Sequence, residues 1–300
     1  MQRNLLSHFQ ELNKQCLILE PALGNDIRCP VCWQRLGPCS FQEKRISKEH
    51  VPPTKVAKLV GERPLVTLTC EECNNGFGTK YQDDLKRFVI HQLQNYGKYD
   101  KPIRGQVAIE NNEPMSADIT LTSKSRKIAV AQAPKANDPR NIQKNMDALN
   151  YLGEKGITDW HCTVKGNYGY RLPAVQLAYL HAAYLLATTR TECYYAYSEA
   201  GEQVRGLFSD NNKRMSQNYL ISLLGNGMNV DPWMAVVTDP PNLRCLWVKI
   251  AGNIVILPTL DRDVFSCWQE WSKICDMTPF GMRPHSKISL RMNFLSKKDT

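Results

Sequence analysis

Cys29-Pro30-Val31-Cys32 and Cys70-Glu71-Glu72-Cys73 are two C-x-x-C turns set 38 positions apart. One such turn can present two thiolates to a tetrahedral zinc, and two turns supply the four sulfurs of a closed structural site. The chain is thereby constrained to bring the two turns together. A disulfide framework fits less well. The eleven cysteines are an odd count, and the opening MQRNLLSHFQELNK has no basic cap, apolar run or small-residue cleavage site. A cytoplasmic, reducing setting is expected. The other cysteines, Cys16, Cys39, Cys162, Cys193, Cys245, Cys267 and Cys275, lack ligand spacing and are expected as small apolar core residues.

A compact four-cysteine finger separates its pairs by only ~15–20 residues, so the longer gap here holds an inserted element. It contains Lys48-Glu49-His50-Val51-Pro52-Pro53, a turn at Gly61-Glu62-Arg63-Pro64, and a strand-like run, Leu65-Val66-Thr67-Leu68-Thr69, leading into Cys70. A carboxylate beside an imidazole thus enters a bend, and a strand returns to the zinc. Asn74-Asn75-Gly76-Phe77 follow, after which Tyr81, Leu85, Phe88 and Val89 trace one helical face. This puts Asn74 at or just before a helix start, with Asn75 in its place if the helix begins one residue later.

Taken together, C-P-V-C, E-H-V-P-P and L-V-T-L-T-C-E-E-C-N-N resemble the HNH endonuclease family of His-Me finger nucleases, over about residues 26 to 90. The resemblance implies an N-terminal, treble-clef-like ββα-metal domain with structural Zn²⁺ on Cys29, Cys32, Cys70 and Cys73. It implies His50 as general base, Glu49 and Asn74 as ligands of one catalytic Mg²⁺ or Mn²⁺, and hydrolysis of DNA phosphodiesters, with duplex DNA as partner. The chemistry agrees with these residue types. Imidazole can take a proton from water near neutrality, and carboxylate and amide oxygens suit a hard cation. Two departures stand out: Arg63-Pro64-Leu65 occupies the place where many family members carry a bracing Asn, and the acidic ligand is Glu rather than the commoner Asp. Asp84, within about 80° of Asn74 on the helical wheel, is expected as a solvated carboxylate rather than a further ligand. A zinc-ribbon module that binds nucleic acid or protein without cleaving is the alternative.

The rest of the chain has no family reading. The 300 residues suggest two domains, set at residues 1–98 and 99–300, in an α+β chain whose second part is a mixed α/β domain of unknown fold expected to serve target or partner recognition. Val107/Ile109, Ile119/Leu121 and Ile128/Val130 alternate as half-buried strands of a small antiparallel sheet. Asp138-Pro139 reads as a helix cap and first position, LRCLWVKI and NIVILP as a hairpin about Ala251-Gly252, and residues 264–274 as a helix. Residues 174–187 read as a buried helix, too short at these apolar positions to span a bilayer and carrying His181 as a satisfied core group. Tyr194, Tyr195 and Tyr197 read as strand packing. The net charge of +9 suits a polyanionic partner. Its local concentrations are Arg35, Lys44, Arg45, Lys48, Lys55 and Lys58, and then Arg283, Lys287, Arg291, Lys297 and Lys298.

Overall fold

The computed structural model describes all residues except 1, 96–97, 100, 123–126, 133–136, 160, 167–168, 210–219, 223–230, 279–280, 285–289 and 296–300. Helix α1 (Gln2–Leu19) leads to strands β1 (Ile27–Arg28), β2 (Arg35–Leu36) and β3 (Ile46–Val51), helix α2 (Thr54–Val60), strand β4 (Leu65–Cys70) and helices α3 (Glu71–Lys80) and α4 (Gln82–Asn95). Strands β5 (Ile103–Ile109), β6 (Met115–Thr122) and β7 (Lys127–Gln132), helix α5 (Pro139–Glu154) and strand β8 (Cys162–Gly166) follow. Next come helices α6 (Leu172–Arg190), α7 (Tyr194–Tyr197) and α8 (Glu199–Ser209) and strands β9 (Leu220–Ser222), β10 (Trp233–Asp239), β11 (Cys245–Ile250) and β12 (Asn253–Leu257). Helix α9 (Val264–Ser272) and strands β13 (Cys275–Thr278), β14 (Gly281–Pro284) and β15 (Arg291–Phe294) complete the described elements. Helix and sheet are mixed throughout, as expected for an α+β chain, and no described helix is long and apolar enough to cross a membrane.

The contacts divide the chain into two compact units, but not at 98/99. One unit combines residues 1–86 with 171–300, and the other is residues 87–170. The cause is α6. Leu180, Leu185, Leu186 and Tyr184 are all fully buried around its circumference, so it must be covered on every side. It packs against β11 and β12 and also against β3 and β4, tying the N-terminal third to the C-terminal third. The Tyr184 hydroxyl donates to the carbonyl of Pro30, inside the first C-x-x-C turn, at 2.6 Å. Tyr184→Phe should cost about 1 kcal/mol in a denaturant titration and leave zinc content unchanged, the net worth of one buried hydrogen bond. No change in stability would mean that this tie holds nothing.

Within the larger unit, the described residues form a seven-stranded sheet ordered β13-β14-β9-β12-β11-β10-β15, antiparallel except between β14 and β9. The β11–β12 hairpin turns at Ala251-Gly252 as expected, in register from Leu246 opposite Leu257 to Ile250 opposite Asn253. A separate two-stranded sheet pairs β3 with β4, running from Ile46 opposite Cys70 to Val51 opposite Leu65. The turn before β4 is held by Glu62. Its buried carboxylate receives the Lys249 ammonium and the Ala251 amide, the latter at 2.9 Å, while the Arg63 amide donates to Asp231 at 2.8 Å.

The smaller unit is an antiparallel sheet ordered β7-β6-β5-β8, whose Val107, Ile109, Met115, Ala117 and Ile119 share a core with Leu152 of α5. Asp138 caps α5 by accepting from the Arg140 amide at 2.9 Å, as its place before Pro139 predicts. Tyr194, Tyr195 and Tyr197 prove helical rather than extended. The left-handed backbone of Cys193 (φ 73°) and the extended backbone of Ser198 (φ −79°, ψ 160°) confine them to one turn.

Candidate functional site

The two C-x-x-C turns meet. β1 and β2 form a short hairpin whose turn carries Cys29 and Cys32, closed by Trp33 in left-handed conformation (φ 65°) with its amide donating to the Cys29 carbonyl at 2.9 Å. Cys70 ends β4 and Cys73 lies in the first turn of α3. The sulfurs of Cys29, Cys32, Cys70 and Cys73 all lie within 4.8 Å of one another, with Cys32 and Cys70 at 3.6 Å. Zinc–sulfur bonds of about 2.3 Å put tetrahedral ligands about 3.8 Å apart, so the group could hold such an ion with little movement. Backbone amides already serve the sulfurs: Cys70 N donates to Cys29 Sγ and Cys73 N to Cys70 Sγ, each at 3.4 Å. Hydrogen bonding among the four thiols pulls Cys32 and Cys70 below the ordinary cysteine range and pushes Cys29 and Cys73 above it.

This cluster fixes where α3 starts relative to the β3–β4 hairpin. Asn74, the fourth residue of α3, sends its amide nitrogen to Ser47 Oγ at 2.8 Å and the Lys48 carbonyl at 3.2 Å. It is therefore not the helix cap its position suggested. Glu71 and Glu72 lead the helix instead, suited to its positive end. With the nitrogen committed to β3, the amide oxygen is the atom left for ligation. Alternation along β3 places Ser47, Glu49 and Val51 on one face, so Glu49 lies on the face that receives Asn74.

Glu49 is only 4% exposed, and its Oε2 has no hydrogen-bond partner among the described residues. Burial pushes its carboxyl up to about 7. Its Oε1 is 3.5 Å from Nδ1 of His181, which projects from α6. Burial drives that imidazole down to about 3, so the contact joins a neutral ring to the carboxyl and is not an ion pair at ordinary pH. His181 is buried, as expected of its apolar helix, with its Nδ1 facing this carboxyl. A buried carboxylate oxygen without a partner and an amide oxygen, on residues tied to the same strand face, are of the donor types that suit a hard divalent cation.

His50 is half-buried and, by alternation, belongs to the other face of β3. It nevertheless lines the same small cleft as Glu49, with Tyr81, Gln82, Ala178 and His181. Asn75 is exposed. Asp84 is neither solvated nor directed to a metal. It is 8% exposed and accepts from the Arg171 amide (2.9 Å) and guanidinium (2.7 Å), joining the start of α4 to the cap of α6. Of the remaining cysteines, Cys39 and Cys162 are exposed, against expectation, while Cys16, Cys193, Cys245, Cys267 and Cys275 are buried. Lys44, Lys55 and Lys58 are exposed near the site, whereas Arg35 and Arg45 pair with Asp26 and Glu43. Lys287, Lys297, Lys298 and His285 lie outside the described residues.

The raised carboxyl makes a pH prediction. Glu49 holds its proton to about pH 7 when folded and releases it near pH 4.5 when unfolded, so folding takes up a proton between those values. Wild-type stability should therefore fall, relative to Glu49→Gln, as pH rises through that window in buffer without Mg²⁺ or Mn²⁺. The gap should reach about 3 kcal/mol by pH 8. Denaturant titrations of both proteins at pH 4.5 and 8 measure it, and parallel curves would contradict the burial of this group.

Comparison of the chain with protein-family models, curated proteins and solved structures finds no match to any of them.

Proposed function

We propose that residues 26–90 form an HNH-type ββα-metal module that hydrolyses phosphodiester bonds of DNA. The observation that carries this reading is the buried, unpartnered Glu49 Oε2 on the strand face to which Asn74 is anchored. Glu49 and Asn74 would hold one Mg²⁺ or Mn²⁺. Such an ion, when bound, supplies charge neutralisation at the phosphoryl and leaving oxygens. His50, in the same cleft, takes a proton from the attacking water, which adds to phosphorus in line and leaves a 5′-phosphate and a 3′-hydroxyl. The four-sulfur cluster, with zinc, holds hairpin and helix in register. His181 orients Glu49 through Oε1 and leaves Oε2 for the cation. The exposed Lys55 and Lys58 on α2 suit contacts to duplex phosphates.

Supercoiled plasmid incubated with the zinc-loaded protein tests the reading. Nicked or linear product is expected with Mg²⁺ or Mn²⁺ and none without added cation. Cleavage that ignores the cation would refute it. A second measurement concerns His181. Mn²⁺ affinity, read from the free-ion electron paramagnetic resonance signal, should fall ~10-fold or more in His181→Leu and recover in His181→Asn, which keeps a donor at the Nδ1 position. Equal affinity in wild type and His181→Leu would remove the orienting role.

The deep burial of Glu49 favours one other reading, a zinc-ribbon module that binds nucleic acid or protein without cutting. On that reading the carboxyl stays protonated and no second cation binds. Absence of any Mn²⁺ signal change, together with retained DNA binding, would decide for it.

A further inference from the structure

Cys16 on α1 and Cys193 in the turn between α6 and α7 take no part in the four-sulfur cluster, yet their Sγ atoms lie 3.8 Å apart. Both residues are buried, at 2% and 3% exposure, and both line a cavity of about 120 Å³ together with His8, Glu11, Trp33 and Tyr197. A small oxidant therefore has space beside the two sulfurs. The turn that delivers Cys193 is itself unusual. Glu192 (φ 48°) and Cys193 (φ 73°) both adopt left-handed backbone, which residues with side chains adopt only where their surroundings enforce it. Here the Cys193 amide donates to the Thr188 carbonyl and the Tyr195 amide to Thr191 Oγ1, each at 2.9 Å.

We propose that Cys16 and Cys193 form a hydroperoxide-sensitive dithiol that closes to a disulfide, a modification site separate from the zinc sulfurs. Closure brings the sulfurs about 2 Å nearer than they stand. Cys16 is the attacking sulfur. The Cys193 thiol has an acceptor of its own in Gln15 Oε1, 3.8 Å away, where its proton can rest, and hydrogen bonding lowers the Cys16 thiol while the Cys193 thiol is raised. The Cys16 thiolate attacks one peroxide oxygen, the O–O bond breaks, and the departing oxygen takes a proton and leaves as water or an alcohol. Cys16 is then a sulfenic acid. The Cys193 sulfur attacks it, the S–S bond forms, and the hydroxyl leaves with the Cys193 proton as water. In sum, two thiols give up two electrons and two protons, and the hydroperoxide is reduced. The bond links residues 177 positions apart and ties α1 to the end of α6.

Hydrogen peroxide added to the zinc-loaded full chain tests this, with remaining thiols blocked by N-ethylmaleimide and peptides mapped by mass spectrometry under non-reducing digestion. The expected product is a Cys16–Cys193 linked peptide, formed before zinc is lost and reopened by dithiothreitol. In Cys193→Ser, Cys16 should instead accumulate as a sulfenic acid captured by dimedone. Recovery of the pair as maleimide adducts, as unlinked oxyacids or in disulfides to other cysteines overturns the proposal. A Cys193→Ser protein without dimedone label on Cys16 overturns the assignment of the attacking sulfur.

Discussion

His50→Ala should lower cation-dependent plasmid cleavage by ~10²–10⁴-fold and leave zinc content and thermal midpoint close to wild type. The magnitude is that of losing a positioned proton acceptor. The second half of the expectation follows from where His50 sits. It is half-buried, lines a small cleft and stands opposite Val66 in the β3–β4 pair, with no part in the four-sulfur cluster. Cleavage at the wild-type rate would remove His50 from the chemistry. A protein that loses fold and activity together would make it a structural residue.

Cys70→Ser should have the largest effect on stability. Its sulfur is 3.6 Å from that of Cys32 and accepts from the amide of Cys73, and its residue ends β4 where α3 begins. Loss of one ligand should release the zinc, and with it a coupling between metal and fold that amounts to ~10 kcal/mol or more in small zinc-centred domains. In this chain Tyr184, Glu62 and the helix that carries Tyr184 hold part of the same region by other means, so partial rather than complete unfolding is expected. Zinc content by atomic emission should fall to background and the thermal midpoint by about 10 °C or more. A variant that keeps its zinc would show that three sulfurs suffice.

The parts of the site that could be read from the sequence are those whose signals are local. Each C-x-x-C turn is complete within four residues, and β4 announces itself in Leu65-Val66-Thr67-Leu68-Thr69, whereas the Glu49-His50 step read as the entry to a bend proves to be strand β3, followed by a helix, α2, that no local signal marked. Asn74 was a nearer miss, because two glutamates ahead of it already favoured an earlier helix start. His181 was not legible. Its helix is apolar on every side, so no face identifies which neighbour the imidazole meets, and the carboxyl it meets belongs to a strand far back in the chain. The same helix concealed the division into units. Sequence reading joins neighbours along the chain, whereas a helix buried all round needs cover from both thirds at once. Asp84 misled for a related reason: its partner, Arg171, follows only after the whole smaller unit.

That discontinuity bears on how the protein is made. A ribosome adding ~5–20 residues per second needs roughly 10–40 s to travel from Glu62 to Lys249, the ion pair that anchors the turn before β4. For much of that interval the strand carrying Glu49 and His50 is without α6, and almost to its end without the β11 and β12 strands on which α6 packs. Metal captured early by the four sulfurs would give the waiting segment its shape, so zinc supply during translation, rather than after release, should set the yield of properly assembled protein.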